Sequence, residues 1–300
     1  MVTGTLCAET VEEVPMPRAI DFHVHPATPE VAAMLAGTAE EMRRFFRSDV
    51  LMEPLEQTAE RYRRLGIQGV LLGTDVETTT GLAPLSNDLV ADAARRWPDV
   101  FVGFAGIDPW KGNEAIAEVE RCVRELGLRG LKLHPGRQAF FPDDPRFYPL
   151  WEKAAELGAI ALFHTGMMAA GAGTPGGRGL KLQYTRPVPH LDNLAADFPT
   201  LRIVSAHPGW PWMDEQLALA RHKANVFIDL SGWSPRYFPP QLVQMANTLL
   251  QDKLLFGSDY PFIPPERWLA DFDAAPFRDE VRPKILFENA ARLLGLDDAA

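Results

Sequence analysis

Eight short apolar runs, spread along almost the whole chain, constrain its fold more than any other feature. They read AIDFHVH (19–25), IQGVLLG (67–73), VFVGFAGI (100–107), LRGLKLH (128–134), AIALFH (159–164), LRIVSAH (201–207), NVFIDLS (225–231) and KLLFGSD (253–259). Each has strand length and a nearly continuous apolar character, the pattern of a strand covered on both faces in a parallel sheet. Between most of them lie segments of helical periodicity, such as NEAIAEVERCVRELG and DEQLALARHKA. In SNDLVADAARRWP, Ser86 is placed to cap a helix and Pro98 to stop it. FFPDDPRFYPLW starts another helix, with Asp144 as its N-cap and Pro145 at its first position.

Strand and helix alternating eight times predict a single (β/α)8 TIM barrel rather than an open doubly wound sheet. A length of 300 residues suits one such barrel with extensions. No Pro/Gly linker divides the chain, so residues 1–300 are expected to form one domain, with 1–18 as an N-terminal extension. Two insertions interrupt the pattern: residues 27–52 after the first strand, and TGMMAAGAGTPGGRGLKLQYTRP after the fifth.

Composition narrows the function. A net charge of −10 argues against nucleic acid or an anionic membrane as the main partner, although local basic loops can still hold a small anion. Cys7 and Cys122 are too few for a disulfide framework or a thiolate zinc site, and they suit a reducing compartment. No run approaches the ~18 apolar residues of a membrane span. The N-terminal stretch carries acids where a secretory signal needs an apolar core. The expectation is a soluble, cytoplasmic protein that acts on a small molecule. With no Gly-x-Ser-x-Gly elbow, and no cysteine beside a strand-end histidine, serine or thiol catalysis is not expected. The glycines of the fifth-strand loop match no nucleotide-binding pattern.

In a barrel, reactive groups gather at the C-terminal ends of the strands. Here the first strand ends in His23 and His25, the fifth in His164, the sixth in His207, and the eighth leads into Asp259. With His134, five of the seven histidines end strands. Side chains two apart share a strand face, so His23 and His25 are expected to point into the mouth while Phe22 and Val24 turn away. Imidazoles with a carboxylate suit one divalent ion, Zn²⁺ first and Mn²⁺ as the alternative, with a position left open for water or substrate. His23, His25, His164 and Asp259 are the candidate ligands. His207 is either a further ligand or the general base, since an ordinary pKa near 6.5 suits that work. Lys132 and His134, on one face of the fourth strand, are candidate substrate contacts.

The loops add further candidates. Trp110, Trp210, Trp212 and Trp233 follow strand ends, with Phe140 and Tyr184 in neighbouring loops. They would suit a flat substrate, simple loop packing being the alternative. Arg178, with Lys181 and Arg186, lies in the glycine-rich loop and could close on a carboxylate or on thioester phosphates.

DFHVHP, GLKLHPGRQAFFPDDPRFYPLWEKAAELG, LFHTG, AHPGWPW and FGSDYP together resemble the amidohydrolase superfamily from about residue 19 to 297. The branch they resemble contains the aminocarboxymuconate-semialdehyde and resorcylate decarboxylases. The resemblance implies His23 and His25 as the first-strand metal pair, His164 as the fifth-strand ligand and His207 as acid/base. It also implies Asp259 as a carboxylate that binds metal or shuttles a proton. In two-metal members a fourth-strand lysine is carboxylated and bridges the ions. The mostly mononuclear branch implies instead that Lys132 is a plain cation for substrate. Residues 171–295 further resemble 4-hydroxyphenyl-β-ketoacyl-CoA hydrolases. The leading expectation is therefore a metal-dependent hydrolase using activated water on a small, aromatic carbonyl or carboxylate substrate, C–C cleavage of an aromatic β-ketoacyl thioester included. The alternative is a metal-dependent non-oxidative decarboxylase of an aromatic or unsaturated acid. A non-catalytic barrel would predict a lost ligand, and none is missing. The resemblance also implies a homodimer or larger assembly.

Overall fold

The computed structural model describes residues 17–47 and 52–296. Most of the expected N-terminal extension, with Cys7, and residues 48–51 of the first insertion lie outside the described residues. The eight apolar runs form β1 (Ala19–Val24), β2 (Ile67–Leu72), β3 (Phe101–Gly106), β4 (Gly130–Leu133), β5 (Ile160–His164), β6 (Arg202–Ala206), β7 (Val226–Asp229) and β8 (Leu254–Leu255). They make one parallel sheet in sequential order. Its ends meet: the Phe22 N–H donates to the Phe256 carbonyl (2.8 Å), and the His25 N–H to the Tyr260 carbonyl (2.7 Å). The sheet is thus the expected (β/α)8 barrel.

The helices start where the chain offers a cap. Ser86 Oγ accepts the Asp88 N–H (3.2 Å) at the head of helix Asn87–Arg96. The Asp144 carboxylate accepts the Arg146 N–H (3.0 Å), and Pro145 opens a short 3-10 turn that runs into helix Tyr148–Glu156. These helices bury their apolar faces against the outside of the strands.

Inside the barrel, Ile20, Phe22, Leu72, Phe104, Leu162 and Val204 form a second core, against which Leu293 and Leu294 of helix Asn289–Leu294 pack. Burying each such side chain is worth roughly 1.5–3 kcal/mol, so the groups at the strand ends rest on a solid apolar plug. Strand alternation then continues the inward face upward, from Gly130 to Lys132, from Leu162 to His164 and from Phe227 to Asp229.

β1 departs from simple alternation. Its register with β2 shifts between Asp21 and Val24. Phe22 therefore stays inside the barrel, edge-on to Phe104 at 5.6 Å, and does not turn away as expected. The irregularity lets His23 reach the mouth immediately above it, as bulges do when they re-aim a side chain. Val24 does turn outward, into the strand–helix core.

The two insertions meet each other over the mouth. The first holds helices Pro29–Leu35 and Ala39–Phe46, and the fifth-strand loop holds short turns at Pro175–Gly179 and Leu182–Thr185. Arg178 of the loop donates through Nε to Glu41 of the first insertion (2.9 Å). Met42, Ala170 and Phe262 make a small apolar cluster of their own. No helix among the described residues is long and apolar enough to cross a membrane.

Candidate active site

β1 delivers His23 and His25, and the turn after β8 delivers Asp259. His23 Nε2 and His25 Nε2 lie 3.5 and 3.4 Å from Asp259 Oδ1. The donor atoms of these three residues all fall within 4.8 Å of one another. Behind them, Asp229 at the end of β7 binds His23 Nδ1 at 2.6 Å, and Ser231 returns its N–H and Oγ to Asp229, each at 2.9 Å. With Nδ1 committed to a carboxylate, the His23 Nε2 lone pair faces the centre, the orientation a metal-binding imidazole requires. Two imidazoles and a carboxylate fixed in this way fit a divalent ion.

The support extends outward. Asp21 accepts the Ser258 N–H and the Tyr62 hydroxyl, both at 2.8 Å, and so ties β1 to the turn that carries Asp259. Burial pushes the Asp21 carboxyl up to about 6, against the pull of its Ser258 and Tyr62 hydrogen bonds. Asp259 and His207 both adopt left-handed backbone (φ 69° and 67°), which costs energy in a residue with a Cβ and is concentrated at functional sites. Gly232 shows why this crowding demands glycine: a Cβ there would stand 2.7 Å from His207 Nδ1.

Charge is finely balanced. Burial alone would raise the Asp259 carboxyl, yet the His25 hydrogen bond and the nearby His207 and Lys132 hold it below its ordinary value. Burial, and then the Lys132 charge, push His23 well down. Lys132 Nζ lies 3.0 Å from His23 Nε2; burial lowers its ammonium and raises the Asp229 carboxyl across from it. His207 bonds Ser231 Oγ through Nδ1 (2.9 Å) and His164 Nδ1 through Nε2 (3.0 Å). Burial lowers His207 to about 4, so the ordinary value near 6.5 assumed from sequence does not apply, and the ring is neutral at pH 7.

His164 stands beside the three-donor set rather than within it. Its ring stacks on His134 (4.0 Å between centroids, 9° between planes), and its buried Nε2 has no hydrogen-bond partner among the described residues. Above these groups opens a cavity of about 1020 Å³, counting its mouth, a size that suits a small molecule. His25, Lys132, His134, His164, His207 and Asp259 all line it. Its roof is apolar, with Phe46 stacked on Phe262 at 4.7 Å and Met42 and Trp233 alongside.

The other sequence candidates fall elsewhere. Trp110 is outside the cavity lining: its indole N–H donates to the Gln138 carbonyl (2.6 Å) and its ring meets Phe147 edge-on at 5.0 Å, which is loop packing. Trp210 is half exposed, at 52%, and also off the lining. Arg178 is occupied by Glu41. Two groups were missed, one buried behind His23 and one on the cavity wall. Asp229 had a signal, an acid ending the seventh apolar run in FIDLS. Arg137 had one too, a cation just after His134 in LHPGRQ. The roof residues of the first insertion had none, because no strand register announces them.

Barrel and mouth together define an enzyme whose chemistry is carried on strand ends. Residues 20–296 match the family described as Amidohydrolase, and the chain belongs to that family. It is 25% identical over 268 residues to a gamma-resorcylate decarboxylase of Rhodococcus jostii strain RHA1, covering 74% of this chain and 78% of that one. It is 31% identical over 200 residues to a 2-keto-4-carboxy-3-hexenedioate hydratase of a Sphingobium species, covering 59% and 58%. A dihydroxybenzoic acid decarboxylase of Polaromonas sp. JS666, solved with bound manganese and 2-nitroresorcinol, shares the fold with a TM-score of 0.67 at 21% identity, over 93% of this chain and 97% of that one.

Proposed function

We propose that this protein is a metal-dependent, non-oxidative decarboxylase of an aromatic or unsaturated carboxylic acid, with one divalent ion at His23, His25 and Asp259. The observation that carries the reading is the convergence of those three donors, braced by Asp229, beneath an apolar roof. The decarboxylases among the relatives support it over the hydrolytic reading that the sequence first suggested, including the thioester cleavage implied by residues 171–295. His164, whose Nε2 has no hydrogen-bond partner among the described residues, is a candidate further donor. The donor types suit Zn²⁺ and Mn²⁺ alike.

When bound, such an ion supplies Lewis acidity to substrate oxygens. The chain supplies the rest. Lys132 brings a cation to the same place, for a substrate carboxylate or phenolate. Phe46, Phe262 and Trp233 hold a flat body and keep water from it. As the carbon–carboxylate bond breaks, its electron pair stays on the substrate carbon, which takes a proton while CO₂ leaves. Asp259 and His207 are assigned to pass that proton; the ionised Asp259 and the neutral His207 can each do so only after taking one from solvent.

Labelled water tests the reading on a panel of hydroxylated and carboxylated benzoates. Deuterium at the ring carbon together with released CO₂, and no oxygen from water in the product, is the expected result. Oxygen-18 in a new product carboxylate would mean hydrolysis and would end the proposal.

A further inference from the structure

Arg137 is a charge in the cavity that no described residue answers. It lies on the one-turn helix Pro135–Gln138 that follows β4. Its backbone is fixed: the N–H meets the His134 carbonyl (2.9 Å) and His134 Nδ1 (3.3 Å), and the carbonyl accepts Thr79 Oγ1 (2.8 Å). The next residue, Gln138, is tied by its amide to the carbonyls of Asp75 (2.7 Å) and Ile107 (2.6 Å). The Arg137 side chain is half-buried and lines the cavity.

Three other cations near the mouth have acids beside them. Lys111 pairs with Asp75 (2.8 Å) and Glu77 (2.7 Å), Arg178 pairs with Glu41 (2.6 Å), and Lys132 lies in the field of Asp259 and Asp229. Among the described residues, no carboxylate comes within ion-pair distance of the Arg137 guanidinium and no side-chain hydrogen bond is made from it. Burial alone acts on its pKa, with no acid opposing it. A guanidinium taken partly out of water without a partner is costly, and the cost is recovered when an anion arrives. In a closed ring of eight sequential strands, β4 stands opposite β8, and Arg137 and Asp259 both line the cavity between them.

We propose that Arg137 binds a second acidic group of the substrate, which makes the substrate class a diacid. Such a molecule has a flat apolar body, one acidic group at the His23–His25–Asp259 end and another against the Arg137 fork. The inference rests on the proposed function for the first of those groups. The planar guanidinium grips a carboxylate through two parallel hydrogen bonds, which a lysine cannot match.

The test is calorimetric titration of the full-length, Mn²⁺-loaded protein with benzoate, benzene-1,3-dicarboxylate and benzene-1,4-dicarboxylate. Wild type is expected to bind at least one dicarboxylate about tenfold more tightly than benzoate, the discrimination a charge-assisted pair provides. Arg137→Met is expected to bring that ratio to about one, and Arg137→Lys to keep part of it. A wild type without the preference, or an Arg137→Met protein that retains it, overturns the inference. The two readings fail separately. If the decarboxylase reading is wrong, the preference persists while no CO₂ is released. If the diacid inference is wrong, monocarboxylates are decarboxylated and no preference exists.

Discussion

The two sides of the barrel mouth are built on opposite plans. On the side of β7, β8 and β1, polar atoms are answered from within the protein: Asp229 holds His23, Ser231 holds Asp229, and Asp21 holds Ser258 and Tyr62. On the side of β4 and β5, His164 keeps a buried nitrogen without a partner and Arg137 meets no acid among the described residues. A fully braced site loses little entropy when a small cation enters it, whereas a site with unanswered polar groups is completed by what it binds. The contrast fits the proposed reading, in which the first side takes a resident ion and the second takes substrate.

Several experiments can break this division. The largest effect is expected from His23→Ala combined with His25→Ala, which removes two donors from the braced side and should lower turnover by roughly 10³-fold while abolishing metal retention. Full activity in that variant would erase the distinction. Asp229→Asn touches only the brace behind His23 and should weaken metal affinity by about 10–100-fold, read by competition with a chelator. An unchanged affinity would show that the buried pair orients nothing. The Arg137→Met titration probes the opposite side, and its change of about tenfold should leave metal content untouched.

The smallest effect lies away from both sides and serves as a control. Glu118 accepts Arg121 Nε and Asn87 Nδ2, each at 2.8 Å, while Asn87 Oδ1 accepts the Gly106 N–H at the end of β3 (2.8 Å). The Arg121 hydrogen bond leads in lowering the Glu118 carboxyl to about 2, against the effect of burial. A carboxyl depressed on folding stabilises above its unfolded pKa near 4.5 and loses that contribution as pH falls toward 2. Because the side chain is a third exposed and its ion pair is screened by solvent, Glu118→Gln should cost only about 1 kcal/mol at neutral pH, and the difference from wild type should shrink in acid. A difference that grows with acid would reverse the assignment.

The strand-end groups of both sides were legible in the sequence because strand register is a local code, although Asp229, the brace behind His23, was not singled out. His23, His25, Lys132, His164 and Asp259 could be placed by counting from apolar runs. The bulge in β1 escaped that count, since alternation alone puts Phe22 outside, and only pairing with β2 reveals the extra residue. Loop residues obey no such count. Trp110 and Arg178 looked available because sequence shows residue type but not the Gln138 carbonyl or the Glu41 carboxylate waiting for them. Arg137, sitting beside them in sequence logic, differs in having no such partner among the described residues.

Metal stoichiometry tests the account most directly. The full chain would be saturated with Mn²⁺ or Zn²⁺, passed through a desalting column and measured by elemental analysis, next to the His23→Ala, His25→Ala protein. The account predicts about one ion per wild-type chain and none in the variant. Two ions per wild-type chain, no retained ion in folded wild type, or equal retention by the variant would each contradict it.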